Sequence, residues 1–203
     1  TTTTQAIYGI RDELDSSGDP MTITLAGTSG VYGNEGLEQQ TLSQVAAGST
    51  GSNAGATLRE VTSNAVPAAD GGWYINLDVE SGERVVVTPA AIFASNTVII
   101  QTLIPGSSDP CNPSVDGAVM AFDATTGGAG VGVQSLGGSP YIGALVNNVR
   151  TGGTLPVATQ AGGGALILPG MTLTGKTNNA GTPLSLDAPI WRRRSWLELN
   201  NGQ

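Results

Sequence analysis

Few residues in this chain could do covalent or acid–base chemistry, and the missing types decide as much as those present. The 203 residues include no histidine and one cysteine. Without imidazole, a Ser-His-Asp triad, a Cys-His pair and an HExxH zinc site cannot be built. Cys111 lies in Ser107-Ser108-Asp109-Pro110-Cys111-Asn112-Pro113, and with no histidine as base it is a poor nucleophile. No internal disulfide can form, so the thiol is either a small buried apolar group or half of a bond to another segment or subunit.

The remaining polar clusters each have a plain structural reading. Asp12-Glu13-Leu14-Asp15-Ser16-Ser17-Gly18-Asp19 offers oxygen ligands for a hard cation. It lacks the D-x-D-x-D-G spacing and the closing bidentate glutamate, so a solvated acidic turn is favoured, with weakly bound calcium as the alternative. Glu35 and Glu38 form a carboxylate pair, but in a glycine-rich loop nothing fixes their separation as glycoside hydrolysis requires. Gly128-Ala129-Gly130-Val131-Gly132 follows an apolar strand, yet neither a helical segment nor a phosphate-binding lysine follows it, which makes it a wide turn. Arg192-Arg193-Arg194 could bind an anion, but stacking of guanidinium on the flanking Trp191 and Trp196 is the simpler account. Trp73, Tyr141, Trp191 and Trp196 could serve as exposed contacts, although rings on strands favour the core. No catalytic, cofactor-binding or metal-ligating residue is therefore assigned, and no cofactor is implied beyond that weak calcium.

Charge and composition narrow the class. Eight basic against sixteen acidic residues give a net charge of −8, a field that repels phosphate backbones and argues against nucleic acid as a partner. No apolar run approaches the roughly 18 residues of a membrane-spanning helix. Thirty glycines with only 12% charged and 4% aromatic residues suit an extracellular β-rich surface protein better than a cytosolic enzyme. The abrupt start at Thr1, without methionine or leader, reads as a processed chain or a piece of a longer one.

The elements that must position these residues are strands. Residues 82–128 carry three β-branched apolar runs with turn chemistry between them: Val85, Val86 and Val87 lead through Pro89 to Ala91, Ile92 and Phe93. Ser95-Asn96 turns, Val98 to Ile104 returns, and Val119-Met120-Ala121-Phe122-Asp123 closes into Thr125-Thr126-Gly127-Gly128. That is the grammar of a β-propeller blade. A lone blade cannot bury both of its faces, so neighbours are expected. Ile7-Tyr8-Gly9-Ile10-Arg11-Asp12 and Trp73-Tyr74-Ile75-Asn76-Leu77-Asp78 repeat the same alternation ending in aspartate, an acid placed to accept hydrogen bonds from turn amides.

Other strands are expected at Met21 to Leu25 and Leu58 to Thr62, and Leu37, Leu42 and Val45 between Gly- and Ser-rich stretches mark a strand or a short helix, with an outer strand favoured by the surrounding threonine and glutamine. Short runs within 129–190, among them Tyr141 to Val146, form a further small sheet or blade, and residues 191–199 make a closing strand. The fold class is thus all-β: propeller-like blades of antiparallel strands, an incomplete propeller forming one module over 1–203, with an antiparallel sandwich as the alternative.

These segments carry a family resemblance. Gly72-Trp73-Tyr74-Ile75-Asn76-Leu77, Gly82-Glu83-Arg84-Val85-Val86, Thr102-Leu103-Ile104-Pro105 with Ser108-Asp109-Pro110-Cys111, and Met120-Ala121-Phe122-Asp123-Ala124-Thr125-Thr126-Gly127-Gly128 occur in an order that resembles the C-terminal β-propeller domain of PilY/PilC-type type IV pilus tip adhesins. Ile7 to Asp12 and Arg194 to Leu199 resemble that family's terminal blades. The resemblance implies a large secreted protein whose propeller supports pilus assembly, counteracts retraction and contributes to adhesion, without enzymatic activity. The family's aspartate-rich calcium loop has no counterpart at 127–138, where small and apolar residues stand.

The expected function is a non-catalytic adhesion module at the cell surface or pilus (fimbrium). Its partners would be pilus minor subunits or the rest of a longer parent chain. Two alternatives follow from the same residues: a subunit of an extracellular filament completed by strand pairing between copies, and a fragment of a propeller-type quinone-dependent dehydrogenase, since Asp-x-x-Thr-Gly blade motifs are shared.

Overall fold

The structure is a computed structural model, and it describes residues 3–11, 16–19, 36–48, 53–68, 70–92, 96–106, 116–129, 141–147, 149, 155–158, 164–168, 170–175 and 184–186. Over these the chain is all-β. The strands in order are β1 (Gln5–Ile10), β2 (Glu38–Gln40), β3 (Leu42–Ala46), β4 (Thr57–Val61), β5 (Gly72–Leu77), β6 (Arg84–Val85) and β7 (Ala90–Ile92). They continue with β8 (Thr97–Leu103), β9 (Gly117–Asp123), β10 (Tyr141–Asn147), β11 (Leu155–Ala158), β12 (Gly164–Ile167), β13 (Thr172–Leu173) and β14 (Leu184–Leu186).

The strands make three sheets. The central one runs β3-β4-β10-β9-β8-β6, with β13 added to β10 and β7 to β8; the others are β1-β5-β2 and β11-β12-β14. Pairing is antiparallel except between β2 and β5, which are parallel. None of the three closes on itself among the described residues.

Sequence explains the layering. β9 and β10 each bury six of their seven residues, and near-continuous apolar strands of this kind belong to a sheet covered on both faces. One face presents Ile99, Val119, Ala121, Ala144 and Val146 to Leu168, Met171, Leu173 and Leu184. The opposite face presents Ile100, Ala118, Met120, Phe122 and Ile142 to Ile7, Trp73, Ile75 and Leu77 of the β1-β5-β2 sheet. The blade read at 82–128 therefore finds its neighbours, and face-to-face burial supplies the hydrophobic stabilisation that a single sheet lacks.

Several details differ from the reading by residue pattern. The blade's strands β7, β8 and β9 are consecutive antiparallel neighbours, but their sheet continues through β10 and β4 to β3. β6 and β7 lie along the same edge of β8, pairing with 102–103 and 97–99 respectively. They behave as one strand interrupted where Pro89 lacks an amide hydrogen and Val86 turns out to solvent, 51% exposed. The two motifs beginning at Ile7 and Trp73 are antiparallel partners in one sheet, with Ile7 opposite Ile75, and do not mark successive blades. The segment around Leu37 to Val45 splits into two strands, and β3 lies at the edge of its sheet as an outer strand should. The strand expected at Met21 to Leu25 and the closing strand 191–199 lie outside the described residues.

Candidate functional site

The turn that ends β9 organises one end of the molecule. Asp123 Oδ1 accepts hydrogen bonds from the Thr125 amide at 2.7 Å, from the Thr126 amide at 3.2 Å, and from the Thr125 hydroxyl. The Gly127 amide donates to the Asp123 carbonyl and the Asp123 amide to the Gly128 carbonyl, both at 2.8 Å. Gly127 has φ +70°, a conformation in which a side chain is strained. The carboxylate is thus committed to the turn amides, as its place after a strand predicts.

Trp73 ties this turn to the neighbouring sheet. Its indole N–H donates to the Ala124 carbonyl at 3.0 Å, and its ring stacks on Phe122 with centroids 6.3 Å apart and planes at 30°. The indole lies between two glycines: a Cβ on Gly9 would fall 2.1 Å from its Cε2, and one on Gly127 2.3 Å from its Cδ2. Beside it Ile10, Arg11, Gly72 and Thr125 help to line a cavity of about 180 Å³. Ile10 is 48% exposed at the end of β1. The Arg11 side chain donates to the Ala68 carbonyl at 3.4 Å. The lining thus combines an apolar wall with one cation and one hydroxyl, that of Thr125, already engaged by Asp123.

Gln40 supports the same turn from below. Fully buried, it donates to the carbonyls of Asn64 at 2.7 Å and Thr126 at 2.9 Å, and it accepts from the Thr62 hydroxyl at 2.8 Å and the Asn64 amide at 3.0 Å. Four bonds satisfy the amide, so its burial carries no unmet polar cost.

A second polar cluster lies at the far side of the same core. Arg59 on β4 and Glu83, just before β6, are both fully buried and joined by a 2.7 Å ion pair from Nη2 to Oε2. Glu83 Oε1 accepts from the Thr102 hydroxyl at 2.6 Å, and Thr102 Oγ1 in turn accepts from the Ala118 amide at 3.0 Å. β4 and β8 are separated in the sheet by β10 and β9, so this one carboxylate links strands that are not neighbours. The partner of Arg59 on β10 is Gly143, which sets no side chain beside the arginine.

Outside, Tyr8, Tyr74 and Gln39 lie in register across β1, β5 and β2. The two rings stack at 6.3 Å, and the Tyr74 hydroxyl donates to Gln39 Oε1 at 3.0 Å. Glu60, on the opposite face of β4 from Arg59, is 9% exposed. Loss of solvation holds its carboxyl above the ordinary carboxylate range.

Of the residues singled out by type and spacing, Trp73 and Tyr141 are core residues at 4% and 5% exposure. Gly128 and Ala129 belong to the β9 turn, Glu38 opens β2, and Asp19 is exposed. Cys111, Asp12, Glu13, Asp15, Glu35, Trp191, Trp196 and Arg192 to Arg194 lie outside the described residues. Among the described residues no group of three or more His, Cys, Asp or Glu could hold a metal ion, and no helix is long and apolar enough to cross a membrane. Gln40, Arg59 and Glu83 were not singled out by residue type. A cue for Arg59 existed: it shares a strand face with Val61, two residues on.

No family model matches the chain. Over 98 residues, 44% of the chain, it is 33% identical to the type IV pilus biogenesis factor PilY1 homolog of Xylella fastidiosa (strain Temecula1), of which it spans only 6%. In fold it matches the crystal structure of the Pseudomonas aeruginosa PilY1 C-terminal domain with a TM-score of 0.55 and 20% identity, over 92% of this chain and 38% of that one. The resemblance to PilY1-type C-terminal domains is therefore present both in sequence and in fold, and the open sheets here are consistent with part of such a propeller.

Proposed function

We propose that this PilY1-like chain is a non-catalytic, type IV pilus-associated module that supports pilus assembly or surface attachment outside the cell. The observation that carries this reading is the 33% identity to a pilus biogenesis factor over 98 residues, joined to the shared fold. The engagement of Asp123 by turn donors supports the non-catalytic part, because the one acid of the Asp-x-x-Thr-Gly motif serves the backbone. In this reading the sheets are scaffold, and the β9 turn with Ile10 and Arg11 presents a recognition surface on loops and strand ends. The parent protein or pilus minor subunits would be the partners.

The test is removal of the segment encoding these residues from the parent gene in a piliated strain, with the truncated product confirmed by immunoblot. Surface pili counted by electron microscopy and attachment to a solid surface should both fall. Unchanged piliation together with unchanged attachment overturns the proposal.

One feature favours self-association as a second reading. β1 is an outer strand of its sheet among the described residues, and Gln-Ala-Ile-Tyr-Gly-Ile contains neither the charge nor the proline that blunts an exposed edge. Sedimentation of the purified chain should then show concentration-dependent assemblies, whereas a monomer at all concentrations removes this reading.

A further inference from the structure

The buried pair of Arg59 and Glu83 leaves unmet hydrogen-bonding capacity on two adjacent strands. Among the described residues, Arg59 Nε and Nη1 have no acceptor and Gln44 Oε1 has no donor. Gln44 and Arg59 are register partners on β3 and β4, so their side chains leave the same face of the sheet from neighbouring positions. Gln44 Nε2 already donates to Glu80 Oε1 at 2.8 Å, which fixes the amide with its oxygen as the open end. Arg59 Nη2 is likewise committed to Glu83.

We propose that this cluster is a built hydration site, in which buried ordered water accepts from Arg59 Nε or Nη1 and donates to Gln44 Oε1. The chemistry selects the occupant. The unmet donors and the unmet acceptor belong to register partners on one sheet face, so a ligand that both accepts and donates is the one that satisfies the two. Chloride would answer the guanidinium but could donate nothing to the amide oxygen. It would also add negative charge beside Glu80 and Glu83. A metal cation would answer the amide oxygen but face a guanidinium. Water meets both requirements, and buried waters characteristically bond about three otherwise unsatisfied polar groups. A water bridge between two such groups is enthalpically nearly as favourable as a direct hydrogen bond. The site thereby completes the solvation of a cation that its single carboxylate leaves half served, and it joins β3 to the chain segment that carries Glu80 and Glu83.

Crystals of the whole 203-residue chain, grown and then soaked in sodium bromide, test this directly. A density peak within hydrogen-bond reach of Gln44 Oε1 and of Arg59 Nε or Nη1, without anomalous bromide signal, is the expected result. The same peak should be lost in Gln44→Met, which removes the acceptor. In solution, an exchange cross-peak between the Arg59 Hε proton and a long-lived water is expected for the unmodified chain, so the idea stays testable if the variant fails to fold. A bromide peak at the site overturns the proposal, as does a direct bond from Arg59 to Gln44 Oε1 with no intervening density.

Discussion

Glu83 Oε2 lies 2.7 Å from Arg59 Nη2 in a region where both side chains are fully excluded from solvent, and the other oxygen of the same carboxylate takes the Thr102 hydroxyl at 2.6 Å. Attraction in such a setting is offset by desolvation, so the pair as a whole adds little to stability. Removing one partner is another matter, because it leaves an uncompensated buried charge, at a cost of about 3–5 kcal/mol. Glu83→Ala should therefore lower the urea midpoint strongly. Arg59→Met combined with Glu83→Leu should recover much of the loss. Equal damage from the single and double variants would show that the pair acts through shape and not charge.

The contact of Trp73 with Gly9 and Gly127 gives a graded prediction. Gly9→Ala places a methyl 2.1 Å from the indole Cε2, which forces the ring or β1 to shift at a cost of about 1–3 kcal/mol. Gly127→Ala adds strain at φ +70° to a similar collision and should cost more. Gly48→Ala meets nothing within 4 Å and should be neutral or slightly stabilising, by about 0.4–1 kcal/mol. Thermal melts of the three variants would show the order Gly48, Gly9, Gly127, from most to least stable.

How far the sequence alone could reach is visible in particular residues. The apolar runs of 98–104 and 119–123 identified their strands because β-branched and aromatic side chains favour a pleated, buried surface, and Asp123 announced its turn by type and position. Sheet membership was not legible. Ile7 and Trp73 head similar motifs, yet they pair with one another, since similarity of pattern says nothing of which strands meet. The polar clusters were hidden for a related reason. Arg59, Glu83 and Gln40 draw their importance from contacts 24, 24 and 86 residues away in the chain, and an isolated arginine or glutamine in a strand looks like a surface residue. The cavity beside Trp73 is formed by three separated segments, which no local motif encodes.

The Asx-type turn at Asp123 separates geometry from charge. Asp123→Asn keeps an acceptor oxygen for the Thr125 and Thr126 amides and should cost a few tenths of a kcal/mol, whereas Asp123→Ala removes it and should cost about 1 kcal/mol, the worth of a typical intramolecular hydrogen bond. Chemical denaturation of both variants distinguishes these outcomes. If asparagine is as harmful as alanine, the carboxylate's charge matters at this turn.

Glu60 should give the fold a pH dependence opposite to that of a salt-bridged acid. Its carboxyl titrates above the ordinary range because burial penalises the charged form, and Oε1 has no donor among the described residues. The unfolded chain, with an unshifted carboxyl, releases this proton at lower pH than the folded chain does. Below the unfolded pKa both states are protonated and Glu60 costs nothing. As pH rises through the interval between the unfolded and folded pKa values the unfolded state is increasingly favoured, and above the folded value the penalty is complete. Glu60→Gln abolishes the titration while keeping the shape, so the variant should be more stable than the parent at pH 7, with the difference shrinking as the pH falls through that interval and gone below about 4, under the ordinary range for glutamate. Urea denaturation of both proteins across pH 3–8 measures it. A stability difference that is flat with pH, or that grows on acidification, would mean that Glu60 is stabilised as the anion, against the desolvated environment found for it on β4.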